Sequence, residues 1–352
     1  MAYLRKNMAI DLGTTSVLCF TRSQGVVLNE PSVVAFDSFS NEIVAVGAEA
    51  KRMLGKTPGN IIARRPLKDG VIADYPSTAK MLDYFIHKAM CRSLLSPDVV
   101  ICVPSEATQV QKRAVVQAAK AAGVHSVYLI EEALAAAIGS GVDISEPGGH
   151  MIVDIGGGTT DIAVISLGGI VVSRSIRVAG NAFDQAILRY IRDHYNLIIG
   201  DSSAEELKIQ LGSGASDGME ETMEVKGRSL DDGLPKSIYI SSTEMAEALR
   251  PSLMTIVDAV HDLLSNTPPE LAADLYDRGI LLTGGGSLIK GLDRLLHDRI
   301  SIDLHHPDHA LTAVVRGTGS SLNWLKKWNP SDELFSESTR QQIIQREELR
   351  RR

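Results

Sequence analysis

The chain has 352 residues, more than a single hydrophobic core ordinarily serves, so two or more domains are expected. With 44% hydrophobic and 22% charged residues it has a soluble globular balance, and a formal net charge of -7 excludes a general attraction to nucleic acid or anionic lipid. Cys19, Cys91 and Cys102 are scattered without paired spacing, which excludes a disulfide framework or zinc site and suits a reducing cytosol, and neither a secretory leader nor an apolar run of membrane-spanning length is present.

Residues 8–12 and 17–20 read as strands around a glycine-threonine turn, and 26–28, 32–36 and 43–46 as further short strands. A short helix is expected over 47–55, ending before Pro58-Gly59. The spacing of Met81, Leu82, Phe85, Ile86 and Ala89 predicts an amphipathic helix over 77–90. A turn at 91–98 leads into strand 99–103, which Pro104 ends. Ser105 then opens a helix over 106–122, stopped by Gly123. Strand 126–130 and helix 132–139 follow.

The pattern then restarts. Residues 151–155 form a strand, three glycines and two threonines follow, and 162–166 form the next strand. This repeats residues 8–20, which predicts a duplicated α/β fold. Further on come strand 170–176, helices 181–194 and 203–211, and a mobile loop over 212–222. A polar strand pair near 222–240, helix 243–264 and strand 279–282 precede three glycines and a helix from 287. From Asn329 the composition turns charged, giving a tail over 329–352.

Two stretches carry the chemistry: Asp11-Leu12-Gly13-Thr14-Thr15-Ser16 and Asp154-Ile155-Gly156-Gly157-Gly158-Thr159-Thr160-Asp161. Glycines let a backbone approach a phosphate, and successive N–H groups form an anion-binding concavity. Hydroxyls of Thr14, Thr15 and Thr159 add donors. Asp11 and Asp154 end their strands and suit the water shell of a magnesium ion. One such turn alone would be an ordinary hairpin; two in one chain point to a bound nucleotide. Gly284-Gly285-Gly286-Ser287, after a strand, suits the adenosine side. Two small-residue segments, 131–139 and 314–321, allow a close helix crossing and hence a hinge.

The order phosphate, connection, phosphate, adenosine, connection is that of the actin, Hsp70 and sugar-kinase superfamily. Within it the chain resembles the MreB/Mbl bacterial shape-determining proteins over about residues 5–325. The matching stretches include Asn29 to Val33, Gly55 to Asn60, Arg65 to Asp74, Val153 to Ile165, Thr267 to Leu271 and Thr283 to Ser287.

The resemblance implies an actin-like fold of two duplicated halves, each a core with a smaller subdomain, around a nucleotide cleft. The first half would span 1–147 with its small subdomain near 33–65, and the second 148–313 with its own near 181–243. Residues 314–328 would form a helix returning to the first half. Thr14, Thr15, Ser16, Gly157, Gly158 and Thr159 would hold phosphates. Glu205, Glu206, Leu207, Lys208 and Gly284, Gly285, Gly286, Ser287 would hold the nucleoside. Glu132 and Thr159 would position the hydrolytic water, with Asp11 and Asp154 around Mg2+. The cofactors implied are ATP and Mg2+.

It further implies slow ATP hydrolysis coupled to paired protofilaments of this chain at the inner, cytoplasmic face of the plasma membrane, guiding cell-wall synthesis and rod shape with MreC, RodZ and RodA, and no nucleic-acid partner. Leu94 and Leu95 stand in a turn that is ordinarily polar. Pattern alone folds them back on the core, whereas the resemblance implies membrane insertion there. Three positions depart from the family pattern: Ala133 for a usual proline, Asn181 for an aspartate, and Gln185 for a common acid. A sugar kinase would need its own substrate pocket and catalytic acid, and a chaperone of the Hsp70 type a C-terminal peptide-binding domain; neither is legible. Hydrolysis and binding without useful turnover both remain open on the residues themselves.

Overall fold

The same sheet is built twice. In the computed structural model, which describes residues 7–90, 95–214 and 220–323, the first copy runs through β1 (Asn7–Leu12), β2 (Ser16–Thr21), β3 (Gly25–Pro31), β4 (Val34–Asp37), β5 (Ile43–Val46), α1 (Ala48–Met53), β6 (Ile61–Arg64), β7 (Leu67–Lys68), β8 (Val71–Ile72), α2 (Tyr75–Met90), β9 (Asp98–Val103), α3 (Gln109–Ala121), β10 (Ser126–Glu131) and α4 (Glu132–Gly139). The second runs through β11 (His150–Ile155), β12 (Thr160–Ser166), β13 (Gly169–Ile176), α5 (Gly180–Tyr195), β14 (Leu197–Ile198), α6 (Asp201–Leu211), β15 (Thr222–Ser229), β16 (Pro235–Ser241), α7 (Ser242–Ser265), α8 (Pro269–Arg278), β17 (Ile280–Thr283), α9 (Leu292–Ile300), β18 (Leu304–His305) and α10 (Ala313–Ser321).

The large sheets are ordered β10-β9-β1-β2-β3 and β18-β17-β11-β12-β13. In each, a three-strand antiparallel meander is extended by two parallel strands. Even the register slip recurs, at Cys19/Phe20 between β2 and β3 and at Val164/Ile165 between β12 and β13. Strand β9 is buried on both faces, which accounts for its unbroken apolar run Val99 to Val103. Among the described residues three smaller sheets stand apart: β5-β4-β6, backed by α1, β14-β15-β16, and the two-stranded β7-β8.

One core lies within each half. Met81, Leu82, Phe85 and Ile86 of α2 fill the first, as their helical spacing predicts, and Phe183, Ile187 and Ile191 of α5 help fill the second. A third core joins the inward faces of both large sheets. There Ala9 and Val100 of one sheet and Ile152 and Ala163 of the other enclose α4, with Val314 of α10.

Helix α3 begins three residues later than the Ser105 start predicted. Thr108 makes a capping box: its Oγ1 accepts the Gln111 N–H at 3.3 Å, while Gln111 Oε1 accepts the Thr108 N–H at 2.7 Å. The box satisfies donors that an earlier start would leave bare. After Gly284 the chain makes a single 3-10 turn over Gly285–Leu288, and the α-helix starts only at Leu292, after Gly291 at φ 72°. Cys19 and Cys102 are free and buried. Cys91, Leu94, the centre of the predicted 212–222 loop and the 329–352 tail lie outside the described residues.

Candidate functional site

A cleft of about 480 Å³ separates the two halves, and both glycine-hydroxyl turns open onto it. They meet closely. A Cβ on Gly157 would stand 1.8 Å from Thr15 Oγ1, and one on Gly158 would stand 2.4 Å from Thr14 Oγ1. Glycine is required here by the opposing turn. Thr14 Oγ1 accepts the Gly70 N–H at 2.9 Å, and Thr15 Oγ1 donates to Asn181 Oδ1 at 3.4 Å. The Gly180 and Asn181 N–H groups donate to Gly156 O and Gly157 O, which fixes the start of α5 on the second turn. Those two N–H groups are thus spent within the fold, and the two hydroxyl turns themselves face the cleft.

Four carboxyls stand behind the turns. Asp11 and Asp154 are the penultimate residues of the equivalent strands β1 and β11. Enclosure by protein pushes Asp11 up to about 6, although the Cys102 thiol donates to it at 3.3 Å. Enclosure also pushes Asp154 up to about 7, against the Thr283 hydroxyl that donates to it at 2.6 Å, with the charges of Asp161 and Asp11 adding to the rise. Glu132 opens α4 and is raised well above the usual carboxylate range, first by desolvation and then by Asp161, Asp11 and Asp154. Among the described residues no group of three acidic, histidine or cysteine side chains is arranged to grip a metal directly. Asp11 and Asp154, close enough that the charge of one acts on the other, are oxygen donors of the kind that suits the water shell of a hard cation.

The rest of the cleft lining mixes apolar and charged side chains with glycine backbone. Helix α6 presents Glu205, Lys208 and Ile209, and Gly212 follows it. Opposite stand Gly284, Gly285, Gly286, Leu288 and Leu311. Ile209, Leu288 and Leu311 are each more than half exposed and line the same cleft, which leaves apolar surface there for a flat ring to cover. Gly284 sits at φ 80°, and a Cβ there would stand 2.3 Å from Ile155 O, so this turn rests on the end of β11. Glu205 bridges the cleft mouth to Lys51 of α1 at 2.6 Å; against the cost of burial, Lys51, Lys208 and Arg65 hold its carboxyl below the usual range. Lys208 is tied to Asp184 at 2.8 Å and to Gly180 O at 3.2 Å.

Behind the cleft α4 and α10 cross with their backbones in contact. A Cβ on Gly139 would lie 1.8 Å from Ala313 O, and one on Gly317 1.8 Å from Ala135 O. The two small-residue segments thus form one crossing, at the junction of both large sheets.

Against known proteins, a family model described as MreB/Mbl protein matches residues 5–330. The chain belongs to the MreB/Mbl family. It is 48% identical to the cell shape-determining protein Mbl of Bacillus subtilis over 92% of this chain and 97% of that protein. It is 47% identical to the cell shape-determining protein MreB of Escherichia coli K12 over 94% and 96% respectively. Among solved structures, MreB 5 of Spiroplasma citri bound to AMPPNP superposes with a TM-score of 0.87 at 42% identity, covering 92% of this chain and 97% of that one. The MamK double helical filament gives 0.78 at 22% identity over 92% and 100%, which bears on the fold alone. The fold is actin-like.

Set within the MreB/Mbl fold, the residues singled out by motif converge with three exceptions. Asp11, Thr14, Thr15, Ser16, Glu132, Asp154, Gly157, Gly158, Thr159, Glu205, Lys208 and Gly284 to Gly286 all line the cleft. Glu206 is exposed and Leu207 lies in the second core, because helical periodicity turns Glu205, Lys208 and Ile209 inward and carries their neighbours away. Ser287 is buried beneath its turn, where its hydroxyl donates to Gly284 O at 2.8 Å. Leu288, Leu311 and Ile209 went unnoticed in the sequence: each is a single apolar residue in an unremarkable stretch, and only the fold assembles them. Ala133 is fully buried and α4 still starts at Glu132, so a proline is not needed to begin it.

Proposed function

We propose that this chain is an ATP-dependent, actin-like cytoskeletal subunit that polymerises at the membrane and directs cell-wall synthesis and rod shape. Its membership of the MreB/Mbl family carries the cytoskeletal, cell-shape role. The observation that carries the nucleotide reading is the meeting of two equivalent glycine-hydroxyl turns, each with a carboxylate behind it, across one cleft. Among the described residues that line the cleft, only Lys208 and Lys290 are cationic, and both are paired, with Asp184 and Glu221. The phosphate end therefore relies on N–H groups, hydroxyls and a divalent ion rather than on basic side chains. MreB 5 of Spiroplasma citri has been solved with AMPPNP and with ADP.

Thr14, Thr15, Ser16, Gly157, Gly158 and Thr159 would take the phosphates, and the slot between Ile209 and Leu311 the adenine. Asp11 and Asp154 would hold magnesium through its waters, and bound there it supplies the charge that neutralises the phosphates. Glu132, which lines the same cleft as Thr159, would orient and deprotonate the attacking water. We divide the chain into halves 1–147 and 148–313, with 314–328 returning to the first.

Saturating Mg-ATP, at about 100 times its dissociation constant, is expected to add about 2.7 kcal/mol to stability. The effect should grow with pH. Free carboxyls ionise near 4, whereas Asp11 and Asp154 release their protons at about 6 and about 7 in the folded chain. Across that window the folded state holds protons the unfolded state has lost, so raising the pH costs stability, and the cost is complete above about 7. A cation favours the ionised forms and removes it. Thermal melting should show the metal-free protein weaker at pH 8 than at pH 5, with Mg-ATP narrowing the gap. A midpoint unmoved by millimolar Mg-ATP at both pH values would contradict the nucleotide site.

Among the described residues no helix is long and apolar enough to cross a membrane. Leu95 is 42% exposed, and Leu94 lies outside the described residues. We assign the pair to shallow insertion, about 1.5–3 kcal/mol per buried side chain, so that one subunit binds feebly and a filament firmly. Such a filament, in paired strands, would work with MreC, RodZ and RodA. Changing both leucines to serine should abolish co-flotation with anionic liposomes while leaving polymers visible by electron microscopy. Polymers that float as the wild type does would place the anchor elsewhere.

A further inference from the structure

Asp161 has no part in the scheme above, yet its placement is costly. It is fully buried on β12, two residues beyond Thr159 and in register with Asp154. The duplicated fold does not demand an acid there. At the equivalent place in the first sheet, in register with Asp11, stands Leu18. A buried carboxylate among three others is unfavourable unless it is bonded, so a specific partner is called for.

That partner comes from the other half. Asp161 Oδ1 accepts the backbone N–H of Ser105 at 3.0 Å, in the turn that follows β9. Oδ2 is enclosed without an aligned donor, although the Thr159 and Ser175 hydroxyls stand near enough to favour its charge. Strand β9 pairs with β10 so that Val103 lies opposite Glu131, the residue before Glu132. A tether at Ser105 thus fixes the strand end beside the β10–α4 junction. On its own side Asp161 is covalently close to Thr159. This hydrogen bond therefore ties the end of the strand that pairs with β10, which leads into Glu132, to the strand that follows Thr159. Among the charges acting on Glu132, that of Asp161 ranks ahead of Asp11 and Asp154.

We propose that Asp161 is a positioning residue for ATP hydrolysis, holding the Ser105 turn of the first half against β12 of the second so that Glu132 and Thr159 keep their places in the cleft they both line. This rests on the reading of the cleft as an ATPase site. Asp161 touches no substrate in this scheme; it acts through the relative placement of the other two residues. Misplacement of about 1 Å can slow a reaction about a hundredfold, so a lost tether should show in turnover rather than affinity.

Single-turnover hydrolysis by the polymer-forming, full-length protein tests this with two variants. Asp161→Ala should lower kcat by about tenfold or more with the KM for Mg-ATP within about threefold. Asp161→Asn keeps an amide oxygen where Oδ1 lies and should restore kcat to within about threefold of wild type. Unchanged kcat in Asp161→Ala, or parallel loss of kcat and affinity, would overturn the assignment. So would an Asn variant as slow as the Ala variant. Should Asp161→Ala fail to fold, Asp161→Asn decides with amide exchange at Ser105. Protection and kcat kept together support the tether, and either lost without the other refutes it. A wild type that binds Mg-ATP without hydrolysing it would instead remove the ATPase reading, and the positioning role with it.

Discussion

Glu132→Gln is expected to slow phosphate release from bound ATP by about 10²- to 10⁴-fold, the usual worth of a positioned general base, while nucleotide affinity changes little. The amide keeps the shape and removes the basic oxygen. Glu132 suits the role because of where the chain puts it. It is the first residue of α4 and lines the cleft with Thr159, and desolvation raises its proton affinity well above the usual range, with Asp161, Asp11 and Asp154 adding to the rise. A carboxylate with raised pKa is a better base for water than an exposed one. The sign of the pH dependence follows: turnover should climb as pH rises through the raised Glu132 pKa, because only the ionised form accepts the proton. In Glu132→Gln that limb should vanish. Quenched-flow measurement of phosphate with saturating Mg-ATP reads both. A variant with wild-type turnover and an unaltered pH profile would exclude Glu132 as the base.

Much of this site was legible in the sequence because its parts are contiguous. Asp11 to Ser16 and Asp154 to Asp161 each hold an entire strand-turn-strand, and glycine and hydroxyl spacing displays the turn directly. Their repetition announced the duplicated sheet, which recurs down to the register slip after Cys19 and Val164. What stayed hidden depends on separate segments meeting. The bridge from Lys51 to Glu205 joins α1 to α6, and the Ser105 to Asp161 bond joins two halves. Neither residue type nor local spacing marks such pairs. Helical phase explains the misplaced site residues. The stretch 205–208 covers a full turn of helix, so it cannot all face one ligand, and Glu206 and Leu207 point elsewhere. The late start of α3 reflects competition between two caps: Ser105 and Thr108 are both good candidates, but only Thr108 has a glutamine three residues on.

Gly317→Val is expected to be the most damaging single change outside the cleft. The Cβ it adds would stand 1.8 Å from Ala135 O and 2.7 Å from the Ala135 carbonyl carbon. Both are backbone atoms of α4, which cannot turn aside as a side chain does. Overpacking a core costs about 1–3 kcal/mol when side chains can adjust, and a clash with helix backbone belongs at or beyond the top of that range. At about 2–4 °C per kcal/mol for domains of this size, the midpoint should fall by about 6–12 °C or the chain should not fold. Gly59→Ala supplies the comparison, since a Cβ there meets nothing within 4 Å, and surface changes of that kind shift stability by about 0.5 kcal/mol or less. Melting of the two variants side by side decides the matter, and a Gly317→Val midpoint within about 2 °C of wild type would mean that the helices do not cross at this distance. The consequence reaches the chemistry. Gly139, whose Cβ would meet Ala313 O at the same 1.8 Å, ends the helix that Glu132 begins, so α4 is clamped by α10 at one end and carries Glu132, the base proposed above, at the other. A substitution that pushes α10 away must tilt α4 and move Glu132 relative to Thr159. Any Gly317 variant that still folds should therefore lose turnover before it loses affinity for ATP, which ties the crossing of two small-residue helices to the geometry of hydrolysis.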